Sequence, residues 1–227
     1  MIIAMDGPAG AGKSTAARAV ARSLGFRLVN TGALYRAVAW QALERGVALD
    51  DEDGLAELAK SLPLAFEGEV LLLEGRPLGA QLRTALVSDA TSRISALQAV
   101  RDALLGLQRE LASQGDAVLE GRDIGTVVCP DASLKLFVTA SLDERAMRRW
   151  REYPEGELTL EEVREELRRR DERDAGREIA PALPADDAIH LDTTGLTIDE
   201  VVARVEALVA ERRAISRKAV DDSGGCQ

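Results

Sequence analysis

The sequence is poor in aromatic residues, cysteine, histidine and lysine. Phenylalanine, tryptophan and tyrosine make up only 3% of its 227 residues. Proteins that bind nucleic-acid strands usually offer aromatic platforms to the bases and an excess of basic charge to the phosphates. Here 39 acidic residues outnumber 29 basic ones, giving a formal charge of -10. We therefore expect no nucleic-acid partner, whereas small phosphorylated ligands fit this composition.

The scarcity of cysteine and of long apolar runs excludes further classes of protein. Cys129 and Cys226 lie far apart, and His190 is the only histidine, so we expect no structural disulfide and no zinc site. Any metal should be bound by oxygen. No apolar run approaches the roughly 20 residues that cross a bilayer, and no basic region precedes the apolar segment Met1 to Met5, unlike in a signal peptide. We expect a cytoplasmic protein without a membrane partner.

The apolar patterns that are present alternate between strand and helix. Ile2 to Met5 is typical of a buried strand, and Lys13 to Gly25 has helical spacing with a glycine at the C-terminal cap. Further strands are predicted at residues 117–119, 134–138 and 188–191, separated by helical segments. This alternation predicts an α/β fold, in which helices cover both faces of a parallel sheet. A hairpin-like passage at residues 64–78 interrupts it.

A glycine-rich segment follows the first predicted strand. Residues 7–14 match the pattern G-x-x-x-x-G-K-[ST], in which backbone NH groups and a helix N-terminus surround phosphates. Lys13 supplies a cation for the outer phosphates, and Ser14 is the predicted Mg²⁺ ligand. The alternative is a structural turn that happens to carry a lysine, but the flanking strand and helix favour phosphate binding. The predicted nucleotide-binding residues are Gly7, Pro8, Ala9, Gly10, Ala11, Gly12, Lys13, Ser14 and Thr15.

Charged residues also occur where a buried surface is predicted. A capping box of Thr159 and Glu162 predicts a helix, and its apolar stripe extends to Arg170 and Asp174, with Arg177 one turn further. Salt bridges on a solvated helix face are the ordinary interpretation of such a segment. Buried charge needs a partner, however, and a ligand phosphate or sugar hydroxyl would serve.

A second charged segment, Glu120 to Thr126, follows the strand predicted at residues 117–119. Ligands of open α/β sheets bind at the carboxyl ends of the strands, which is where Arg122 and Asp123 should lie. The alternative is a type I turn with a solvated Arg–Asp pair. A second pocket with arginines favours a small kinase over a motor or signalling NTPase.

Four separated motifs together resemble the bacterial cytidylate kinases, and the likeness runs from Ile2 to about Arg213. The motifs lie at residues 7–15, 30–36, 121–126 and 170–174. The resemblance implies a nucleoside monophosphate kinase that transfers the terminal phosphate of ATP to CMP or dCMP with Mg²⁺, in pyrimidine nucleotide metabolism. It also implies a monomer. The predicted divisions are a P-loop kinase domain over residues 1–213, an inserted α+β monophosphate-binding domain over 62–101, a lid over 148–158 and a disordered tail over 214–227.

The resemblance also implies residue roles. Lys13, Arg122 and Arg177 would be catalytic. The family often has Asp-Ser where this chain has Asn30-Thr31, which keeps a hydroxyl at Thr31 in the substrate site. The remaining implied contacts are Arg36, Arg122 and Arg177 to the CMP phosphate, Ser92, Arg101 and Asp123 to the cytosine, and Arg170 and Asp174 near the pentose.

Two alternatives stay open at this point. One is another P-loop small-molecule kinase, acting on AMP, UMP, TMP or shikimate, which the insertion and the segment from Gly121 to Thr126 disfavour. The other is a nucleotide-binding module without turnover. The arginines disfavour it, because a pure ATP sensor has no use for a second phosphate site.

Overall fold

The computed structural model describes residues 1–154, 156–177 and 179–224, with side chains as far as Ile215. Its strands are β1 (Ile2–Asp6), β2 (Arg27–Asn30), β3 (Leu64–Glu67), β4 (Val70–Leu73), β5 (Arg76–Pro77), β6 (Ala117–Glu120), β7 (Leu134–Thr139) and β8 (Ile189–Asp192). Its helices are α1 (Lys13–Leu24), α2 (Thr31–Arg45), α3 (Glu52–Ser61), α4 (Ala85–Ile94), α5 (Gln98–Ser113), α6 (Leu142–Trp150), α7 (Leu160–Ala175) and α8 (Ile198–Gly224). A 3₁₀ turn covers Ala80–Arg83, and a π-helical turn covers Ile124–Val128.

The central sheet has five parallel strands in the order β2-β6-β1-β7-β8. The predicted α/β fold with a parallel sheet is confirmed. The sequence did not reveal β2, because its four residues begin and end with polar side chains, Arg27 and Asn30, and leave only two apolar positions. Pairing with β6 makes β2 one edge of the sheet.

Helices cover both faces of this sheet because successive residues of a strand point to opposite sides. Ile3 and Met5 of β1 pack in a core with residues of α1 and α8. Ala4, between them, belongs to the core formed with α2, α3, α4 and α5 on the other face. Strand β1 is therefore buried on both sides, which explains its uninterrupted apolar sequence.

A small antiparallel sheet lies within the predicted insertion. Its order is β3-β4-β5, so the hairpin-like passage expected at residues 64–78 is confirmed. Leu64, Leu71 and Leu73 pack in the same core as α2 and α3. At its turn, Glu69 accepts hydrogen bonds from Arg18 (2.6 Å) and Arg22 (2.9 Å) of α1.

The last helix, α8, runs without interruption from Ile198 to Gly224 and so includes residues 214–224 of the predicted disordered tail. The disorder of the tail over residues 214–227 stays a prediction. The segment between Ile198 and Gly224 contains no glycine or proline and is rich in alanine and arginine, which have high helix propensity. Residues 225–227 lie outside the described part. Within the described residues, no helix combines the length and apolarity that a membrane span requires.

The carboxyl ends of three adjacent strands bring polar residues together. Asn30 at the end of β2 is in register with Glu120 at the end of β6, and Glu120 is in register with Met5 of β1. The chain continues from β1 into the glycine-rich segment and from β6 into the segment carrying Arg122. Both predicted binding segments therefore start at one edge of the sheet.

Candidate active site

The glycine-rich loop connects β1 to the first turn of α1. Gly7 (φ +140°), Gly10 (φ +75°) and Gly12 (φ +82°) adopt conformations that other residues rarely reach. A Cβ atom on Gly7 would lie 2.0 Å from the carbonyl oxygen of Val138 on β7. The sequence therefore needs glycine here for both backbone conformation and space.

Lys13 is buried at the start of α1, and its Nζ donates a hydrogen bond to the Pro8 carbonyl (2.6 Å). Burial lowers the pKa of Lys13 well below its usual value and Arg122 lowers it further, while Glu120 opposes both effects. An anionic ligand in the loop would stabilise the charged ammonium group.

Two arginines of α6 hold the loop from outside. Arg145 is buried and donates to the carbonyl of Ala9 (3.0 Å) and to the Asp171 carboxylate on α7 (2.6 Å). Arg148 donates to the carbonyl and hydroxyl of Thr193 (2.9 and 3.0 Å), and the Thr193 hydroxyl donates to the Ala11 carbonyl of the loop (3.1 Å). The sequence analysis assigned Arg148 to the lid and gave Arg145 no role. In the sequence, the only indication of this role was the spacing of Arg145, Arg148 and Arg149 on one short helix.

Glu120 is a site residue that the sequence analysis missed. Its Oε2 accepts a hydrogen bond from Ser14 Oγ (2.7 Å), and its buried Oε1 has no hydrogen-bond partner among the described residues. The available signal was a carboxylate at the end of a strand that lies beside the predicted phosphate loop. Glu120 and Ser14 together present oxygen atoms, which are the ligands that Mg²⁺ prefers. The residues present fit this ion.

Near the carboxyl end of β6, Asp174 of α7 joins three arginines. Arg122 Nε donates to its Oδ2 (3.1 Å), Arg177 donates to its Oδ1, and Arg170 Nε lies 3.9 Å from Oδ2. Burial raises the pKa of Asp174, but these guanidinium groups outweigh that effect and hold it below its usual value. Three positive charges share one carboxylate, so the cluster is electropositive.

Thr31 and Arg36 lie in α2, which begins directly after β2. Thr31 Oγ1 donates to the Glu120 carbonyl (2.7 Å), and Arg36 donates to Asn30 Oδ1 (3.3 Å), which also caps α2. Burial lowers the pKa of Arg36 to about 10, with Glu120 opposing and Arg122 adding to the shift. Arg36 therefore lies within electrostatic range of Arg122.

Arg101 and Asp123 form a buried ion pair. Arg101 also donates to the Ser95 carbonyl (3.1 Å) and lies 6.0 Å from the ring centroid of Tyr35. Burial raises the pKa of Asp123, and Arg101 is the main opposing influence. The interpretation of Arg122 and Asp123 as a solvated pair is wrong, because Arg122 binds Asp174 and Asp123 is buried against Arg101.

The buried polar atoms without hydrogen-bond partners mark the same region. Among the described residues, they are Ser92 Oγ, Glu120 Oε1, Arg170 Nε, Asp171 Oδ1 and Arg177 Nε. Buried polar groups are normally paired, so such atoms need an explanation. Ser92, Arg170 and Arg177 are predicted substrate contacts, and unpaired buried donor atoms on arginines fit an anionic ligand.

A cavity of about 200 Å³ adjoins the other side of the loop. It contains no residue of the predicted site except members of the loop itself. Its lining is partly apolar and comes from the loop, α1, α6 and the start of α8. The lining residues are Ala11, Gly12, Thr15, Ala16, Arg148, Thr193, Leu196, Ile198 and Val201.

The parallel sheet, the glycine-rich loop with its lysine, and the facing arginine cluster define a P-loop kinase. The cytidylate kinase family model matches residues 3–211. The chain belongs to the cytidylate kinase family and is a nucleoside monophosphate kinase.

Individual relatives agree with the family match. The cytidylate kinase of Desulfitobacterium hafniense (strain Y51) is 47% identical over 215 residues, covering 92% of this chain and 93% of the relative. That of Geobacter sp. (strain M21) is 46% identical over 220 residues, covering 94% of each. A solved shikimate kinase from Bacteroides thetaiotaomicron matches with a TM-score of 0.50 and 14% identity, covering 92% of this chain and 98% of that one, which shows the fold alone.

Proposed function

We propose that this protein transfers the terminal phosphate of ATP to CMP and dCMP at the edge of the sheet described above, giving CDP and dCDP. The observation that supports the site most directly is the unpaired buried polar atom on each of Ser92, Arg170 and Arg177. A ligand with a phosphate and a polar base would give these atoms partners. The family match supports CMP as that ligand.

The donor triphosphate is assigned to residues 7–15. The backbone NH groups of the loop and Lys13 bind its phosphates, and the adjoining cavity is a candidate place for the donor base. Ser14 and Glu120 would hold Mg²⁺, which neutralises charge on the phosphates when bound. Arg145 holds the Ala9 carbonyl and would support the loop around its ligand.

The acceptor phosphate is assigned to Arg36, Arg122 and Arg177. Arg122 and Arg177 are oriented by Asp174, which together with Arg170 is assigned to the pentose. Arginines on the acceptor side and Lys13 on the donor side would stabilise the negative charge of the phosphoryl group during in-line transfer. Little acid–base chemistry is needed, so Asp123 is assigned to recognition.

The base is assigned to Ser92, Arg101 and Asp123. A carboxylate can accept a hydrogen bond from the cytosine N4 amine, and a guanidinium can donate to N3 or O2. Uracil has an oxygen in place of that amine, which would oppose the Asp123 carboxylate. We expect discrimination of about 1–3 kcal/mol for each such contact.

The insertion over residues 62–101 and the lid over residues 148–158 are proposed to close over the two nucleotides and exclude water. Arg149, at the end of α6, influences the pKa values of both Arg36 and Arg170 and so lies within electrostatic range of the acceptor arginines. We further propose that the enzyme is a cytoplasmic monomer.

A panel of acceptors tests the substrate assignment. With ATP as donor, initial rates are compared for CMP, dCMP, UMP, AMP, TMP and shikimate. We expect CMP and dCMP to give the highest kcat/KM. Phosphorylation of UMP or AMP at least as fast as CMP would overturn the assignment.

Arg122→Ala tests the division into donor and acceptor sides. ATP affinity, measured by calorimetry without acceptor, should stay nearly unchanged, while transfer to CMP should fall by about 10²-fold or more because an arginine at the transferred group is lost. Equal losses of ATP binding and transfer would show that Arg122 is wrongly assigned.

A further inference from the structure

Ser95 follows the last residue of α4, and its polar groups contact two arginines of the proposed acceptor site. Its buried hydroxyl accepts a hydrogen bond from Arg177 Nη2 (3.0 Å). Its carbonyl oxygen accepts one from Arg101 Nη1 (3.1 Å). Arg177 lies 82 positions later in the chain. Ser95 therefore lies between the residues assigned to the acceptor phosphate and those assigned to the base.

Local helix capping does not explain the contact with Arg177. The Ser95 hydroxyl donates to the carbonyl three residues earlier, that of Ser92 (3.3 Å). Ser61 and Ser113, at the ends of α3 and α5, donate to the corresponding carbonyls at 2.8 Å. Within the described part of the chain, neither of these two serines is hydrogen-bonded to a charged side chain. The bond from an arginine therefore distinguishes Ser95 from them.

The chemistry of a hydroxyl suits this position. Asp174 already accepts from Arg177, but one carboxylate contact leaves the orientation of the guanidinium plane free about that bond. A second acceptor on the same Nη2 fixes it. A second carboxylate would do so too, yet it would cancel the positive charge that an acceptor phosphate needs. The neutral hydroxyl orients Arg177 and leaves its charge and its unpaired Nε for the ligand.

We propose that Ser95 is a positioning residue for the acceptor phosphate, acting through Arg177. Its hydroxyl sets the guanidinium of Arg177, and its backbone carbonyl independently holds Arg101. The proposal rests on the proposed function, since it takes Arg177 as a contact of the CMP phosphate. It adds that the hydroxyl is specific to the phosphate end of the site and has no part in choosing the base.

Ser95→Ala removes the hydroxyl and keeps the carbonyl. We expect the KM for CMP to rise about tenfold, because the bond of a charged donor is lost. The KM for ATP should stay within about twofold of its original value, because the donor loop is not contacted. The ratio of kcat/KM for CMP to that for UMP should also be unchanged, because the carbonyl still holds Arg101. A partial loss of folding would lower the apparent kcat for every acceptor and leave these three quantities unchanged, so a rise in the KM for CMP alone reports on the acceptor site.

The matched control is Ser61→Ala, which removes the same kind of helix-end bond without removing a bond to an arginine and should leave all three quantities unchanged. Ser95→Cys provides a second test variant, since sulfur is a weak acceptor in nearly the same volume, and it should behave as Ser95→Ala does. Thermal unfolding shows that each variant is folded. An unchanged KM for CMP in folded Ser95→Ala and Ser95→Cys, or an equal rise in the KM for ATP, would overturn the proposal.

A double-mutant cycle with Arg177→Ala separates this proposal from the proposed function. If Arg177→Ala leaves the KM for CMP unchanged, the assignment of Arg177 to the phosphate fails. If Arg177→Ala raises it, Ser95→Ala should have no further effect in that background. A full additional tenfold rise there would show that Ser95 does not act through Arg177 and would refute the role of Ser95.

Discussion

Asp6 is the buried carboxylate at which the donor and acceptor segments meet. It immediately precedes the glycine-rich loop, and its two oxygens accept hydrogen bonds from the backbone NH groups of Ile124 and Gly125, each at 2.8 Å. These residues directly follow Asp123. One side chain at the end of β1 therefore fixes the backbone of the segment that carries the proposed base contact.

We predict that Asp6 makes stability fall as pH rises from about 4 to about 6. Burial raises the pKa of Asp6 to about 6 from the ordinary 3.8, against the lowering effects of its two backbone hydrogen bonds. Between these values the folded state holds a proton that the unfolded state has lost, so deprotonation disfavours folding. Asp6→Asn removes this penalty. The unfolding free energy of the variant minus that of the original protein should therefore rise by about 3 kcal/mol between about pH 4 and about pH 6.

The measurement is denaturant unfolding of both proteins at several pH values. Asp187→Asn is the control: Asp187 is exposed beside Lys135, which holds its pKa below the usual value. Asp187 is then ionised in both states above about pH 5, and its substitution should have a constant effect there. A difference between Asp6→Asn and the original protein that does not vary with pH would contradict the prediction.

At the scale of elements, the connection from β1 to α1 depends on glycine for two distinct reasons. Gly7 has φ +140°, and a Cβ there would meet the Val138 carbonyl at 2.0 Å. Gly25, at the other end of α1, has φ +68°, and a Cβ there would have open space within 4 Å. At both positions glycine allows the positive φ, but only Gly7 also lies against a neighbouring strand.

We predict different costs for alanine at these two positions. Gly25→Ala should lower the unfolding free energy by about 1–2 kcal/mol, the cost of a left-handed conformation for a residue with a side chain. Gly7→Ala should lower it by more than about 3 kcal/mol, because backbone strain and a clash with β7 add together. Denaturant unfolding measures both. Equal costs would mean that the loop moves away from β7 without difficulty.

The charged helix α7 shows what periodicity can establish. Its capping box is formed as predicted, with Thr159 Oγ1 accepting from the Glu162 NH (3.2 Å) and the Glu162 carboxylate accepting from the Thr159 NH (2.8 Å). The stripe of Val163 and Leu167 is buried, and Asp174, two turns after Leu167, is buried as well. The inference that the apolar face ends in buried charge is confirmed for Asp174, whereas Arg170 and Arg177 are half-buried and Arg173 is exposed.

At the scale of the whole molecule, two sets of exposed ion pairs join the insertion to the rest of the protein, in addition to the buried pair of Arg101 and Asp123. Glu69 of the small sheet binds Arg18 and Arg22 of α1, and Asp89 of α4 lies 3.3 Å from Arg173 of α7. These pairs are largely exposed, and exposed pairs contribute at most about 1 kcal/mol each. They are therefore weak enough to form and break if the insertion moves.

We predict that the lid is protected when both nucleotides are bound. Arg151 is exposed in the connection between α6 and α7, close to Gly156, and offers trypsin a cleavage site. With CMP and a non-hydrolysable ATP analogue together, cleavage near Gly156 should slow by about tenfold, because closure removes the open conformation that the protease needs. The analogue alone is the control. Cleavage that is equally fast with and without both ligands would count against closure.

The sequence by itself determined the elements whose signals are local. The glycine-rich loop occupies consecutive residues, the strands β1, β6 and β7 are mainly apolar runs, and β8 alternates apolar and polar residues. The caps at Gly25 and Thr159 are set by neighbouring residues. Periodicity and a contiguous motif follow from backbone geometry alone, so they can be recognised without the fold. The family resemblance added the expected ligands of the charged residues, and the family itself is confirmed.

Only the tertiary structure decided which distant residues meet. Ser14 and Glu120 are 106 positions apart, Arg122 and Asp174 are 52 apart, and Ser95 and Arg177 are 82 apart. No local pattern encodes such pairs, because they arise from the order of strands in the sheet and the packing of α4 and α7 around its edge. Burial gives them their chemical character, since a charged group removed from water is held by whichever partner the fold provides.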